Sequence, residues 1–169
     1  MKTEAAIGLG SNIGDRQAYL QDAISRLSQL SGVTLIAQSS VYETEPVDVP
    51  AEFANLPFLN AVALFDVERD VLDWSRAVHA IEEDMLRVRG KVPHTPRTID
   101  LDLLYFGNVV RDKPHLHLPH PQCTARRFVC QPLAELRPHL VLCGESKSIA
   151  EILAALPTTP AVKRYTPTP

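Results

Sequence analysis

The chain has 169 residues with 17 basic and 20 acidic side chains, a formal net charge of −3. This length predicts one domain, residues 1–169, and the mildly acidic balance argues against a partner as highly charged as nucleic acid. None of the three cysteines forms a CxxC pair and no apolar run approaches a membrane-spanning length, so we expect a cytoplasmic protein with no membrane partner.

The first part of the chain alternates between strand and helix signals. Residues 5–10 (AAIGLG) predict a short buried strand, and apolar residues at helical spacing predict a helix over 15–30. The stretch 33–43 is rich in β-branched residues and predicts a second strand, which Pro46 brings to an end.

The second part repeats the alternation and completes a recognisable order. Residues 58–67 predict a strand, and an amphipathic pattern from Val71 to Met85 predicts a helix capped by Asp70. A further strand follows over 98–106. The order β-α-β-β-α-β is that of a split ferredoxin-like core. We therefore predict an α+β fold, with this core extended by a C-terminal hairpin and by helices near 124–136 and 148–155.

The net charge conceals an uneven distribution along the chain. Residues 42–84 carry eleven acidic side chains against two basic ones, whereas residues 85–137 carry nine basic side chains against four acidic ones. Four of the basic residues fall within eleven positions with no acid between them: Arg87, Arg89, Lys91 and Arg97. Such a run is typical of a solvated loop, and it is also what a binding site for a small polyanion requires.

Asp100 and Asp102 carry the sharpest chemical signal. Side chains alternate along a strand, so both carboxylates point to one face, about 7 Å apart. Two carboxylates at this distance repel unless a cation lies between them, and Mg²⁺ is bound by one or two carboxylates together with substrate phosphates. An exposed, charged strand face explains the pair equally well, but Arg97 three residues earlier favours a site for a metal-bound polyphosphate.

The segment that carries these aspartates resembles a known family signature. The string PRTIDLDLLYFGN at 96–108 is similar to that of the 6-hydroxymethyl-7,8-dihydropterin pyrophosphokinases of folate biosynthesis. Six further matches follow the family's order: IGLGSN (7–12), SSVYETEP (39–46), FLNAV (58–62), RVRG (87–90), LPHP (118–121) and RRFVCQPL (126–133). The resemblance implies transfer of pyrophosphate from ATP to the pterin hydroxymethyl group, with release of AMP.

The resemblance also implies roles for individual residues. Two Mg²⁺ ions would be held by Asp100 and Asp102, which with Arg87 and Arg97 form the implied catalytic set. The implied ATP contacts are His79, Glu82, Arg87, Arg89, Arg97, His120 and Arg126. The implied pterin contacts are Thr44, Glu45, Val47, Phe58, Asn60 and Phe128. It leaves open an association with other folate-pathway enzymes.

The chemistry of a pterin supports part of this assignment independently. A planar heterocycle with a polar rim needs aromatic faces and a few fixed amide groups. Asn60 meets that need, since it interrupts an apolar strand face where an amide without a partner would be costly. Phe58 and Phe128 are explained equally well as ordinary core residues.

Three other functions have to be weighed. Gly8, Gly10 and Gly14 after a strand suggest a dinucleotide-binding turn, but their spacing is one residue too long and no suitably placed acid follows. The histidines of the motif His115-x-His117-x-x-His120 could form a zinc site of a hydrolase. A non-catalytic ligand-binding module with a ferredoxin-like shape is the third alternative, because the fold does not determine the function.

Overall fold

The protein is described from a computed structural model that covers residues 1–45, 51, 56–87 and 98–167, with only the backbone of Arg87. The strands are β1 (Thr3–Ser11), β2 (Val33–Gln38), β3 (Tyr42–Thr44), β4 (Phe58–Val67), β5 (Asp100–Phe106), β6 (Arg111–Lys113), β7 (Leu116–Leu118) and β8 (Val162–Arg164). The helices are α1 (Arg16–Ser28), α2 (Val71–Arg87), α3 (Arg127–Leu136) and α4 (Ile149–Ala155).

The central sheet has the strand order expected of a ferredoxin-like core. Strand β1 pairs antiparallel with β5 on one side and β4 on the other. The far edge of β4 pairs with β2 along one part of its length and with β3 along another, and β8 joins beyond β3. The predicted α+β class and β-α-β-β-α-β core are confirmed, and β6 and β7 form the added hairpin.

The single strand predicted over 33–43 is wrong, because the structure has two strands there. Ser39 lies between β2 and β3 and bonds to β4 through its backbone N–H, which donates to Val62 O at 2.8 Å. Its Oγ accepts from Val62 N at 2.9 Å and donates to Ser40 O at 2.7 Å. The hydroxyl thus replaces a backbone partner and interrupts the regular ladder, a local effect that β-branched composition does not reveal.

Each face of the sheet has its own apolar core. On one face, β1 and β4 present Ile7 and Phe65 to helices α1 and α2, where Trp74 lies 5.7 Å from Phe65 between ring centroids. Burying each ring contributes roughly 1.5–3 kcal/mol. Helix α2 begins as predicted, since Asp70 Oδ1 accepts from Leu72 N at 2.7 Å. The opposite face packs Leu64 against α3.

The second core covers only part of its face. A register shift opposite Ala6 and Ile7 places both Leu104 and Tyr105 on the α3 side of β5. Beyond this apolar patch, the same face continues toward Asp100 and Asp102, which are not part of the second core. The uncovered part is therefore available for a ligand.

Strand β8 was not predicted from the sequence. It has three residues and gains its backbone partners only by pairing with β3, where Val162 lies opposite Thr44. It returns the end of the described chain to the central sheet. None of the helices within residues 1–45, 56–87 and 98–167 is long and apolar enough to cross a bilayer.

Candidate active site

A cleft of about 440 Å³ lies on the uncovered part of the sheet. Its floor is formed by β1, β4 and β5, and one wall by residues 125–129 at the start of α3. A second wall comes from the segment that follows α4 and ends at the start of β8. The volume is within the range of small-molecule sites in proteins.

Two glycines form the floor between the polar groups. Gly8 lies opposite Asp102 on β5 and Val62 on β4, while Gly10 lies opposite Asp100 and Asn60. A Cβ at Gly10 would be 3.2 Å from Asn60 Oδ1, closer than most real Cβ contacts. In the sequence, these glycines suggest a dinucleotide-binding turn. Because side chains alternate along a strand, glycines two residues apart leave one face of the strand without side chains, and this spacing could have predicted the floor.

The two aspartates line this cleft on the face that the strand period predicts. Asp102 is exposed and Asp100 half-buried. Glu82 of α2 holds the backbone between them, since its Oε2 accepts from Leu101 N at 2.6 Å. Burial raises the pKa of Glu82, and the negative charges of both aspartates raise it further. The donor set therefore suits a hard divalent cation that would offset this charge.

Positive charge enters the cleft from the start of α3. Arg126 precedes the helix, lines the cleft and places its guanidinium carbon 5.6 Å from the centre of the Phe128 ring. The helix N-terminus beside it also favours an anion. Arg89 and Arg97 lie outside the described residues, as does the side chain of Arg87, so their predicted roles stay predictions.

The predicted pterin contacts that the structure describes line the same cleft, from β3, β4 and the start of α3. Thr44, Glu45, Phe58, Asn60 and Phe128 all line it. The buried amide of Asn60 is fixed, because its Nδ2 donates to Thr44 Oγ1 at 2.8 Å. Its Oδ1 faces the space above the floor glycine of β1. Val47 lies outside the described residues.

Two further predicted ATP contacts lie away from this cleft. His79 is exposed on α2 and lines a second cavity of about 590 Å³, together with His115 beside β7. His120 lies near the outer edge of β5, where its backbone N donates to Leu104 O at 2.8 Å. Its Nδ1 accepts from Gln122 N at 3.1 Å, which leaves Nε2 to carry the proton of the neutral ring. Burial lowers the pKa of His120, although Asp102 opposes this.

The structure does not support the zinc and dinucleotide alternatives. His117 Nδ1 contacts Asp112 Oδ1 at 3.0 Å, and within the described parts of the chain no three His, Cys, Asp or Glu side chains are placed to hold a metal. Gly8 and Gly10 lie inside an antiparallel strand, not in the strand-to-helix turn of a dinucleotide site.

Several residues that line the cleft were not predicted from the sequence. Gln122, Arg127 and five residues from Leu156 to Val162 belong to its walls. All are distant in sequence from the acidic pair, and although Arg127 lies within the RRFVCQPL match, that match implied roles only for its neighbours Arg126 and Phe128.

A ferredoxin-like sheet that places paired carboxylates, an arginine and a buried amide beside aromatic rings has the groups that a phosphoryl transferase needs. A sequence profile described as 7,8-dihydro-6-hydroxymethylpterin-pyrophosphokinase (HPPK) matches residues 6–138. The chain belongs to this family, as its resemblance to the family signature predicted.

Individual relatives agree with this assignment. The chain is 38% identical over 151 residues to a 2-amino-4-hydroxy-6-hydroxymethyldihydropteridine pyrophosphokinase of Pseudomonas aeruginosa, covering 89% of this chain and 90% of the relative. A pyrophosphokinase of the same description from Methylorubrum extorquens is 40% identical over 156 residues, covering 91% and 94%. The fold also matches a crystal structure of Plasmodium falciparum HPPK-DHPS, with TM-score 0.71 and 15% identity. That match covers 91% of this chain but only 45% of the other.

Proposed function

We propose that the cleft on the α3 side of the sheet is where this pyrophosphokinase transfers pyrophosphate from ATP to 6-hydroxymethyl-7,8-dihydropterin, releasing AMP. One observation carries the proposal: a single cleft is lined by Asp100 and Asp102 at its β5 end and by the Asn60 amide and Phe58 at its β4 end, with Arg126 and Phe128 both contributed by the start of α3. The reaction needs this arrangement, because the charged ATP, which donates the pyrophosphate, and the flat pterin, which accepts it, have to bind next to each other.

The acceptor end fits the pterin ring. Phe58 and Phe128 offer aromatic surface to its faces, and Asn60 offers Oδ1 to a donor on its rim. Thr44 Oγ1 accepts one N–H of this amide and Oδ1 lies beside the floor glycine Gly10, so the amide offers the cleft an acceptor. This favours a heterocycle with amino or ring N–H groups at that edge.

At the charged end, Asp100 and Asp102 would hold Mg²⁺. The two carboxylates lie on one sheet face above a glycine floor, and a cation would offset their negative charge, which adds to burial in raising the pKa of the nearby Glu82. When bound, Mg²⁺ neutralises phosphate charge and lowers the pKa of a hydroxyl that it contacts. Arg126 adds a fixed positive charge, held in place by the Phe128 ring.

We place the nucleotide along the outer edge of β5, between the second cavity and the acidic pair. His79 lines that cavity, while Glu82 and His120 contact the backbone of β5 at Leu101 and Leu104. In this arrangement His120 offers Nε2–H to a phosphate or sugar oxygen. Arg87, Arg89 and Arg97 remain proposed contacts for the triphosphate.

Formation of AMP from ATP tests the proposal, with the pterin supplied and Mg²⁺ varied. We expect AMP only when pterin and Mg²⁺ are both present, and at least a hundredfold lower rate for Asp100→Asn or Asp102→Asn. Asp112→Asn, on the exposed β6–β7 hairpin, serves as the matched control. Equal rates for all three variants would refute the assignment of the acidic pair, and no pterin-dependent AMP in the unmodified protein would refute the function.

The remaining proposals concern the setting of the enzyme. Residues 1–169 form one domain, supported by the return of β8 to the central sheet beside β3. Association with other folate-pathway enzymes is supported by the HPPK-DHPS crystal structure, in which the matched region is part of a longer chain. A cytoplasmic location accords with three cysteines that are all free. Co-purification of the tagged protein with such enzymes would test the association.

A further inference from the structure

The segment between α4 and β8 forms one wall of the cleft. Its residues Leu156, Pro157, Thr159, Pro160 and Val162 line the space beside Asn60 and Phe58. We call residues 156–162 the C-terminal strap. Residues 157–161 are exposed, so core packing does not account for the position of the strap.

The far end of the strap is fixed by backbone pairing. Val162 lies opposite Thr44 in the β8–β3 ladder, and Tyr165 N donates to Val41 O at 2.8 Å. Thr44 is the residue whose hydroxyl holds the Asn60 amide. The strap is thus attached to the strand that orients the proposed pterin contact.

The near end of the strap is fixed by Arg127. Its Nη1 donates to Leu153 O at 3.2 Å and to Leu156 O at 3.3 Å, at the C-terminal end of α4. Leu153 O also accepts from Leu156 N at 3.2 Å, so Arg127 adds a second donor to this carbonyl and a cation that complements the partial negative charge of the helix end. Arg127 itself lies in the first turn of α3 and lines the cleft. One side chain therefore joins the α3 wall to the strap.

We propose that the C-terminal strap contacts the bound pterin and that Arg127 is the positioning residue that holds the strap against it. The inference rests on the proposed function of the cleft. The strap offers the ring an apolar edge built from leucine, proline and valine, next to the α3 wall that carries Phe128. Because both ends are anchored, the wall is in place before the pterin binds, which reduces the entropic cost of binding.

Variants of Arg127 test the positioning role. Arg127→Met keeps the aliphatic stem but removes the donors, and we expect the KM for pterin to rise about tenfold while the KM for ATP changes less than twofold. Arg127→Lys keeps the charge and should recover part of the loss. Arg26→Ala, on the exposed face of α1, is the control for removing an arginine. An unchanged pterin KM in Arg127→Met, or an equal rise in the ATP KM, would overturn the proposal.

Protection of an introduced thiol tests the contact without relying on activity. Thr159→Cys places a thiol on the cleft side of the strap, whereas Ala161→Cys is exposed in the same strap but does not line the cleft. Both variants are made in a Cys143→Ser background, because Cys143 is only partly buried and would also react. The other two cysteines are buried, and burial raises the thiol pKa to about 12 for Cys123 and about 11 for Cys130, so they react slowly.

The measured quantity is the rate of maleimide modification with and without the pterin, in the presence of Mg²⁺ and a non-hydrolysable ATP analogue. We expect at least tenfold protection at Thr159→Cys and less than twofold at Ala161→Cys. Equal protection at both positions, or none at either in a protein that forms AMP normally, would overturn the strap contact. If the unmodified protein formed no AMP from ATP and pterin, the proposed function would fail first, so the two failures are distinguishable.

Discussion

Replacing Thr44 by valine isolates the hydrogen bond that orients Asn60. Valine keeps the shape of threonine but leaves the Asn60 Nδ2 without its acceptor at 2.8 Å, in a site where both side chains are buried. An unsatisfied buried donor costs about 1–3 kcal/mol of folding free energy. Thr44→Ser keeps the hydroxyl and loses a methyl group, at roughly 0.8 kcal/mol.

The effect on the substrate follows from the same bond. An amide that is no longer fixed has to be ordered when the pterin binds, which costs about 0.5–1.5 kcal/mol. We therefore expect Thr44→Val to raise the pterin Kd about two- to tenfold, and Thr44→Ser to leave it within twofold. ATP affinity should be unchanged in both variants, because Thr44 lies at the end of the cleft away from the acidic pair.

A double-mutant cycle with Asn60→Ala decides whether the effect acts through the amide. Pterin Kd is measured by calorimetry, and the free energy of unfolding is measured by urea titration for all four proteins. In the Asn60→Ala background, Thr44→Val should change the pterin Kd by less than twofold. If Thr44→Val weakens binding equally in both backgrounds, Thr44 contacts the pterin directly and the positioning argument is wrong.

The remaining predictions concern the floor, the acidic pair and a distant ion pair. Gly10→Ala should weaken pterin binding severalfold in calorimetry, because the added methyl group displaces Asn60 Oδ1. Thermal unfolding should show little loss of stability, because alanine lowers the backbone entropy of the unfolded chain. Asp102→Asn should raise or leave unchanged the Tm measured without Mg²⁺, since it relieves repulsion with Glu82; a lower Tm would contradict this. Burial alone would raise the pKa of Glu4, but its hydrogen bonds to Arg137 and Tyr105 outweigh burial and lower that pKa. Its contribution to stability is therefore present above pH 4.5 and lost as the pH falls through the lowered value, so unfolding curves of the unmodified protein and Glu4→Gln should converge in acid.

Local sequence patterns determined most of the elements and the acidic pair. Helices α1 and α2 follow from apolar spacing, and strand β4 follows from its composition with the bounds predicted, 58–67. That Asp100 and Asp102 share one face follows from the period of a strand alone. These features depend on neighbours within a few residues, and for that reason they could be inferred before any tertiary contact was known.

Only the tertiary structure decided what faces those residues across the sheet. The register of β1 places Gly8 and Gly10 between the aspartates and Asn60, and a shift of one residue would have turned both glycines to the opposite face. The two hydrogen bonds of Arg127 to the end of α4, and the pairing of β8 with β3, join segments whose separation in sequence leaves no local pattern. The chemistry of the site could thus be inferred from the sequence of one strand, whereas its floor and walls could be identified only from the tertiary structure.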